Sequence, residues 1–267
     1  MATDLSISSI QENLKTQIIG QKIIVVPSID STNTEIKRIA QNLHEGTVLF
    51  AEYQEAGHGR WSRKWVAPSK KALLFSIYLT PDCAAEQNHL FTIIMALSVV
   101  QAVYQIDKVK LDIVWPNDIY YDGKKLAGVL TECVYTGSSV RLVVVGCGMN
   151  IHQINDELSL DQTRKGISLD LVTNYRHDRS LIAASILNQF EGYYSDLLNG
   201  NIQSLIHLWE SYCSMMHQTV QVRLEGETVE GEMVGIDHRG NLILKQNNET
   251  FILKDGDVIE VKHVALH

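Results

Sequence analysis

Cysteine is scarce in this chain, and the four present, Cys83, Cys133, Cys147 and Cys213, stand far apart. There is no C-x-x-C pair and no histidine at zinc-finger spacing, so neither a disulfide framework nor a structural zinc site organises the fold. The cysteines read as reduced core thiols of a cytoplasmic protein. The ten histidines form no metal-ligand grouping either. Long apolar runs are missing: none approaches the roughly 18 residues that suggest a membrane span, and the N-terminus carries no signal-peptide stretch. Positive charge is in deficit, with 23 Lys and Arg against 31 Asp and Glu and a formal net charge of -8. That balance argues against a basic nucleic-acid-binding surface and hence against DNA as a partner. H-E-x-x-H and G-x-S-x-G are absent, which removes the zincin and hydrolase-elbow chemistries. There are no internal repeats and no low-complexity segments.

What is present is an ordinary globular composition: 267 residues, 45% hydrophobic and 20% charged, enough for one core with a small satellite domain. One short amphipathic stretch, around Ile7, Ile10, Leu14 and Ile18, opens the chain. The roughly 20 residues before the first strand are too few for a helix-turn-helix. Lys22–Val26 reads as a strand. Asp30-Ser31-Thr32-Asn33, with Glu35 three residues after Thr32, is a capping signature for a helix to about Leu43. Strands follow at Thr47–Gln54 and Ala72–Leu79, then an apolar helix over Leu90–Tyr104. Short strands are expected at Lys110–Trp115, Asp118–Tyr121, Leu126–Tyr135 and Val140–Gly146, with turns at Asp122-Gly123 and Thr136-Gly137. Ile182, Ile186, Phe190, Tyr193 and Leu197 share one helical face, and Ile202–Tyr212 is a further short helix. From about Thr219, closely spaced turns at Glu225-Gly226, Arg239-Gly240-Asn241 and Lys254–Asp257 predict a small β-barrel. The fold class is therefore α+β: a mixed or antiparallel sheet with helices, then a small barrel. The expected division is 1–217 and 218–267.

Three stretches carry chemical potential. The first is Gln54-Glu55-Ala56-Gly57-His58-Gly59-Arg60-Trp61-Ser62-Arg63-Lys64-Trp65. Gly57 and Gly59 let the backbone approach a ligand. Arg60 and Arg63 offer planar forks suited to phosphate or carboxylate, and Trp61 and Trp65 offer stacking faces. By itself this segment fits an anion-binding lid and a solvated loop pinned by its tryptophans about equally. It is neither a Walker A loop nor a Rossmann turn. The second is Trp115-Pro116-Asn117-Asp118 with Lys124-Lys125-Leu126-Ala127-Gly128. Asn117 can offer an amide to a nucleotide, and Asp118 can hold a magnesium ion or orient a cation. Gly128 lets a ligand lie flat on the sheet. Taken alone, the lysine pair fits a plain hairpin better. The third is Gly146-Cys147-Gly148-Met149-Asn150 at a strand end, where small residues leave room and Asn150 can reach a ligand. Separately, Ser31, Thr32 and Asn33 are either a helix cap or groups that can meet a ureido ring.

In this order and with this spacing, the stretches resemble the biotin protein ligases, over roughly Ile23 to Ile151 and more weakly beyond. The resemblance implies a class II synthetase-like catalytic domain and an SH3-like C-terminal barrel. It implies ATP and biotin as substrates, Mg2+ as the accompanying ion, and a biotin carrier domain of a biotin-dependent carboxylase as acceptor. It places Ser31, Thr32, Asn33, Gln54, Gly57, His58, Gly59, Arg60, Lys125 and Gly128 at biotin. It places Arg60, Arg63, Trp65, Asn117, Asp118, Lys125 and Asn150 at ATP, with Arg60, Arg63 and Lys125 as the catalytic cations and Asp118 as the one candidate metal ligand.

This chain departs from the pattern at three positions. His58 stands where arginine is common, Ser62 where glycine is frequent, and Val114 where a lysine usually precedes the tryptophan. Three other readings compete: a lipoate or octanoate ligase of related fold, a biotin-sensing repressor, and a non-catalytic biotin-binding protein. The repressor is disfavoured by the short N-terminal stretch. Exposed sheet edges can serve a homodimer or dock the acceptor by strand addition, and the sequence does not choose between them.

Overall fold

The protein was analysed as a computed structural model, which describes residues 5–81, 87–136, 139–158, 165–247 and 249–262. Cys83 and Gly137 lie outside the described residues. Seven strands form the main sheet, in the order β1-β2-β3-β7-β6-β5-β4. They are β1 (Ile23–Val26), β2 (Val48–Ala51), β3 (Ala72–Leu79), β4 (Asp112–Val114), β5 (Asp118–Tyr121), β6 (Lys124–Thr136) and β7 (Ser139–Asn150). β1 and β2 run parallel, and every other neighbouring pair is antiparallel. The sheet is therefore mixed, as the sequence predicts. Strands β3 and β5 have the expected bounds. β6 and β7 are longer, so Gly146–Asn150 lies inside a strand rather than beyond its end. The β5–β6 turn has positive φ at both Asp122 (48°) and Gly123 (69°), the geometry that two-residue hairpins favour.

Helices α1 (Ile7–Asn13), α3 (Asn88–Asp107), α5 (Arg179–Leu198) and α6 (Ile202–Ser211) contribute to one continuous core with the sheet. α3 also corrects the membrane reading. It is long and apolar enough to cross a membrane by length and composition, because Thr92, Ser98 and Gln101 interrupt the apolar run without adding charge. Ile94, Leu97 and Val100 are fully buried, so it serves as a core helix. The opposite face of the sheet is covered by α2 (Thr32–Ile39), whose Ile36 packs on Leu49, Tyr78 and Val144. A short helix α4 (Leu169–Thr173) lies between β7 and α5.

After α6 come β8 (Thr219–Arg223), β9 (Thr228–Ile236), β10 (Leu242–Gln246), β11 (Glu249–Leu253) and β12 (Asp257–Lys262). They form an antiparallel sheet in the order β11-β10-β9-β8-β12, consistent with the SH3-like expectation. This unit is seated firmly. Val220, Val222, Met233, Leu242 and Leu244 are fully buried in the same cluster as the main core. Trp115 Nε1 donates to Gly240 O at 3.2 Å, and a Cβ at Gly240 would stand 2.8 Å from Ile93 Cδ1.

One buried ion pair ties α5 to the sheet. Arg179 is fully buried and donates to Glu52 Oε2 at 2.7 Å, Glu52 Oε1 at 3.1 Å and Ala72 O at 3.0 Å. Removing one partner strands the other charge in the core. Arg179→Met is therefore expected to destabilise the fold by about 3–5 kcal/mol, measured as a fall in the urea midpoint. An unchanged midpoint would show that the pair is dispensable.

Candidate functional site

The cleft arises from strand alternation, since successive side chains in a strand point to opposite faces. On β7, Val143, Val145, Cys147 and Met149 enter the core, leaving Val144, Gly146, Gly148 and Asn150 for the other face. On β3 and β6 that face carries Leu74, Ser76 and Tyr78, and Gly128, Leu130 and Glu132. α2 covers part of it. Over the remainder, the 54–65 loop folds back as a roof above a narrow cleft. Ser31, Thr32, Asn33, Gln54, His58, Gly59, Arg60, Arg63, Trp65, Asn117, Asp118, Lys125 and Gly128 all line it. Gly57 lies just behind the lining, where a Cβ would stand 2.7 Å from Trp65 O and 3.0 Å from Gln54 Nε2.

Two sequence expectations change in detail. The glycines of β7 leave space, but protein side chains fill it. A Cβ at Gly148 would stand 2.6 Å from Trp65 Cε2, and one at Gly146 would overlap Asn33 Oδ1. Asn150 does not line the cleft. Its amide nitrogen donates to Ile167 O at 3.2 Å and its oxygen accepts from Gln153 Nε2 at 2.8 Å. Cys147, turned to the core, has its thiol pushed up to about 12 by burial, so it is not a nucleophile at neutral pH.

At the neutral end of the cleft, hydrogen bonds fix the amides. Ser31 is the N-cap of α2, yet its hydroxyl does not cap. Gln54 does so instead, Oε1 accepting from Thr32 N at 2.8 Å and lying 3.1 Å from Thr32 Oγ1. This orients Gln54 and turns its Nε2 away as a donor. Asn33 is engaged on both sides. Its Nδ2 donates to Leu130 O (3.1 Å) and Glu132 Oε2 (2.8 Å), and its Oδ1 lies 2.6 Å from the hydroxyl of fully buried Ser76. Lys37 completes the set with an ion pair to Glu132 at 2.8 Å. Burial pushes the Glu132 carboxyl up. Hydrogen bonds from Lys37 and Asn33, with the charges of Lys37 and His58, more than offset this, so its pKa is lowered overall. Sequence reasoning missed Ser76, Lys37 and Glu132. The available signal was a polar residue in the middle of each of two apolar strands.

At the charged end, Lys125, Arg60 and Arg63 each meet a carboxylate. Lys125 Nζ lies 2.6 Å from Asp118 Oδ1, both side chains largely buried, and 5.6 Å from the Trp65 ring centre. Val114 stands opposite Asp118 in the β4–β5 hairpin, so Lys125 supplies the neutralising charge there. Asn117 is pinned to β6, its Nδ2 donating to Val129 O at 2.6 Å. Arg60 and Arg63 reach across to Asp255 and Asp257 at the start of β12, partners the sequence did not suggest. Trp65 Nε1 is buried without a hydrogen-bond partner among the described residues. Among the described residues no group of three His, Cys, Asp or Glu side chains can hold a metal. Asp118 alone, already paired with Lys125, does not make a resident magnesium site.

A cleft with neutral donors and acceptors at one end, clustered cations at the other and an indole wall between them suits an enzyme that binds a polar, uncharged group while neutralising anions. Comparisons with known proteins agree. The Biotin/lipoate A/B protein ligase family matches residues 25–150, and the Biotin protein ligase C terminal domain matches residues 218–261. The bifunctional ligase/repressor BirA of Bacillus spizizenii is 34% identical over 242 residues, covering 90% of this chain and 74% of that protein. The biotin–[acetyl-CoA-carboxylase] ligase of Mycobacterium tuberculosis is 30% identical, with 94% and 96% covered. In fold, the chain is similar to the Aquifex aeolicus biotin protein ligase solved with biotin and ATP, at a TM-score of 0.76 and 24% identity over 91% of this chain and 100% of that one. The chain belongs to the biotin protein ligase family and is a ligase.

The Glu132 network carries a pH signature. A carboxyl whose folded pKa is lowered stabilises the fold above its unfolded value, about 4.3, and loses that contribution as pH falls through the folded value. Glu132→Gln is expected to flatten the acid limb of the stability–pH curve and to weaken ligand binding by releasing Asn33. An acid limb identical to wild type would remove Glu132 from this role.

Proposed function

We propose that this chain joins the carboxylate of biotin to the α-phosphate of ATP, releasing pyrophosphate. It then transfers the biotinyl group to a lysine of a biotin carrier domain, such as that of acetyl-CoA carboxylase. The observation that carries this reading is the polarity of the cleft. A ureido ring has two N–H donors and one carbonyl acceptor. At the neutral end the Ser31 hydroxyl and Gln54 Nε2 have no protein partner among the described residues, and Thr32 Oγ1 offers an acceptor. The acyl chain then runs past Trp65 and Gly128 toward Lys125, Arg60 and Arg63. In this reading Asn33 acts through the network that fixes the neutral end, while Gly57, His58 and Gly59 shape the roof. Asn117 and Asp118 border the nucleotide, with Trp65 alongside. Asn150 holds the chain beside the site through Ile167. Residues 1–217 bind both substrates, and 218–267 form the barrel.

Both substrates are anionic at the reacting ends, so the cations do the principal work. Lys125 sits between the two anions and stabilises charge developing on the carboxylate and phosphate oxygens. Arg60 and Arg63 exchange carboxylate contacts for substrate oxygens. The roof keeps water from the mixed anhydride until the acceptor amine attacks its acyl carbon. ATP arrives with its own Mg2+, since the cleft carboxylates Asp118 and Asp257 are already paired with Lys125 and with Arg60 and Arg63. Positioning, not covalent participation by the protein, supplies most of the rate.

The test is ATP–pyrophosphate exchange by the purified protein with biotin, lipoate or octanoate. Biotin-dependent exchange is expected. Exchange with lipoate or octanoate alone would move the chain to the other branch of its family, and biotin binding without exchange would remove the adenylation step. Lys125→Ala is expected to slow biotin-dependent exchange by on the order of 10²–10³; a wild-type rate would exclude Lys125 from the transition state.

A further inference from the structure

The backbone of Lys125 is held from a side that the main sheet leaves open. The β6–β7 pairing begins at Ala127 and Met149, so Lys125 has no partner in β7. A later stretch of chain takes that place, and Gly166 forms a parallel bridge with Lys125. Lys125 N donates to Lys165 O at 2.9 Å, and Ile167 N donates to Lys125 O at 2.9 Å. Behind this bridge lie three buried polar side chains, Asn150, Gln153 and Ser168, at 3%, 1% and 0% exposure. Asn150 Nδ2 donates to Ile167 O at 3.2 Å and reaches Lys125 O at 3.4 Å. Its Oδ1 accepts from Gln153 Nε2 at 2.8 Å. Gln153 Oε1 accepts from Ile151 N at 2.9 Å, and Ser168 Oγ donates to Gln153 O at 2.7 Å.

We propose that Gln153 is a positioning residue for Lys125: it fixes the Asn150 amide, and with it the backbone from which Lys125 reaches the cleft. This rests on the reading above that Lys125 stabilises the charge of adenylation. A side-chain amide can turn over and exchange its donor for its acceptor with little change of shape. Two amides in series keep one orientation only if a group of fixed polarity reads them. The N–H of Ile151 can only donate, so it selects Gln153 Oε1. Gln153 then presents Nε2, which selects Asn150 Oδ1. Asn150 Nδ2 is left facing the carbonyls of Ile167 and Lys125, which can only accept. A reversed Asn150 would set its oxygen against both carbonyls, at a depth where an unmatched polar group is most costly. Lys125 is thus paired with Tyr120 of β5 on one side and with the 165–167 stretch on the other. Its side chain, largely buried and 2.6 Å from Asp118, leaves from a fixed root. Displacing such a group by about 1 Å can cost on the order of 10² in rate. Gln153 does not line the cleft, so its effect on the chemistry passes through Lys125.

The experiment compares full-length wild type with Gln153→Met, Gln153→Glu, Lys125→Ala and the Gln153→Met/Lys125→Ala double variant. Methionine keeps the length of the side chain and removes both polar atoms. Glutamate keeps the acceptor for Ile151 and loses the donor to Asn150, so it should behave like methionine. The first readout is amide hydrogen–deuterium exchange of peptides spanning 124–127 and 165–168. Both Gln153 variants should exchange roughly tenfold faster there, with the other sheet peptides unchanged. The second readout is biotin-dependent ATP–pyrophosphate exchange. In Gln153→Met kcat should fall roughly tenfold while KM for biotin and ATP moves by about twofold at most. With Lys125→Ala already in place, Gln153→Met should cost almost nothing further, because the two residues act as one. Wild-type protection in Gln153→Met would overturn the proposal. So would a full additional loss of rate in the double variant, the signature of a general structural role. A wild-type rate in Gln153→Met beside a slow Lys125→Ala would overturn it as well. If Gln153→Met does not fold, Ser168→Ala, which frees only the Gln153 carbonyl, should show smaller changes of the same sense, and wild-type protection with wild-type kcat would overturn the proposal. Amide exchange needs no turnover. Lost protection in Gln153→Met together with a Lys125→Ala as fast as wild type, or with no biotin-dependent exchange at all, would uphold the clamp while sinking the adenylation role of Lys125.

Discussion

Strand β7 has to be full on one side and nearly empty on the other, and the architecture of the site follows from that requirement. Its core face is a row of Val143, Val145, Cys147 and Met149, closed by α3 and α5. Its cleft face offers backbone at Gly146 and Gly148, onto which Asn33 and the Trp65 indole settle. A side chain at either glycine would push out the group that shapes the binding surface. The neighbouring strands obey the same alternation, so Gly128 and Ser76 fall on the cleft side while Ala127 and Phe75 fall on the core side. Space for a ligand is thus made in the register of the sheet, and the loops only complete it.

Onto this floor the fold places charge in compensated form. Lys125 faces Asp118, and Arg60 and Arg63 face Asp257. An uncompensated cluster of three cations in a partly buried cleft would repel itself and disturb the fold. The internal carboxylates keep the cations oriented, and an incoming anion replaces one partner with another rather than meeting a bare charge.

Much of this was legible in the sequence, for reasons that differ by residue. The apolar run Ala72–Leu79 and the Asp122-Gly123 turn gave strands β3 and β5 their bounds, because local backbone preference and burial agree there. The mixed sheet and terminal barrel followed from turn spacing. The cleft residues were found where several polar or cationic groups sit close together in sequence, as in Gln54–Trp65. What escaped was long-range or singular. Ser76 and Glu132 are lone polar residues in apolar strands, and nothing local says that Asn33 will need them. Asp257 stands 197 residues from Arg60 and looked like one more turn residue. The side-chain capping expected of the Asp30–Asn33 stretch with Glu35 is absent: Ser31 is the N-cap without a side-chain bond, and Gln54, from a different segment, meets the N–H of Thr32 instead.

The placement of Trp65 has an optical corollary. Of the four tryptophans, Trp115 and Trp209 are buried in the core, at 2% and 0% exposure, and Trp61 lies on the outer surface at 43%. Trp65 alone lies against the glycine floor of the cleft with a cation nearby. The emission of this indole is therefore a built-in gauge of occupancy. The site carries its own chromophore at the junction of its neutral and charged ends, and a ligand that spans that junction has to change the indole's surroundings.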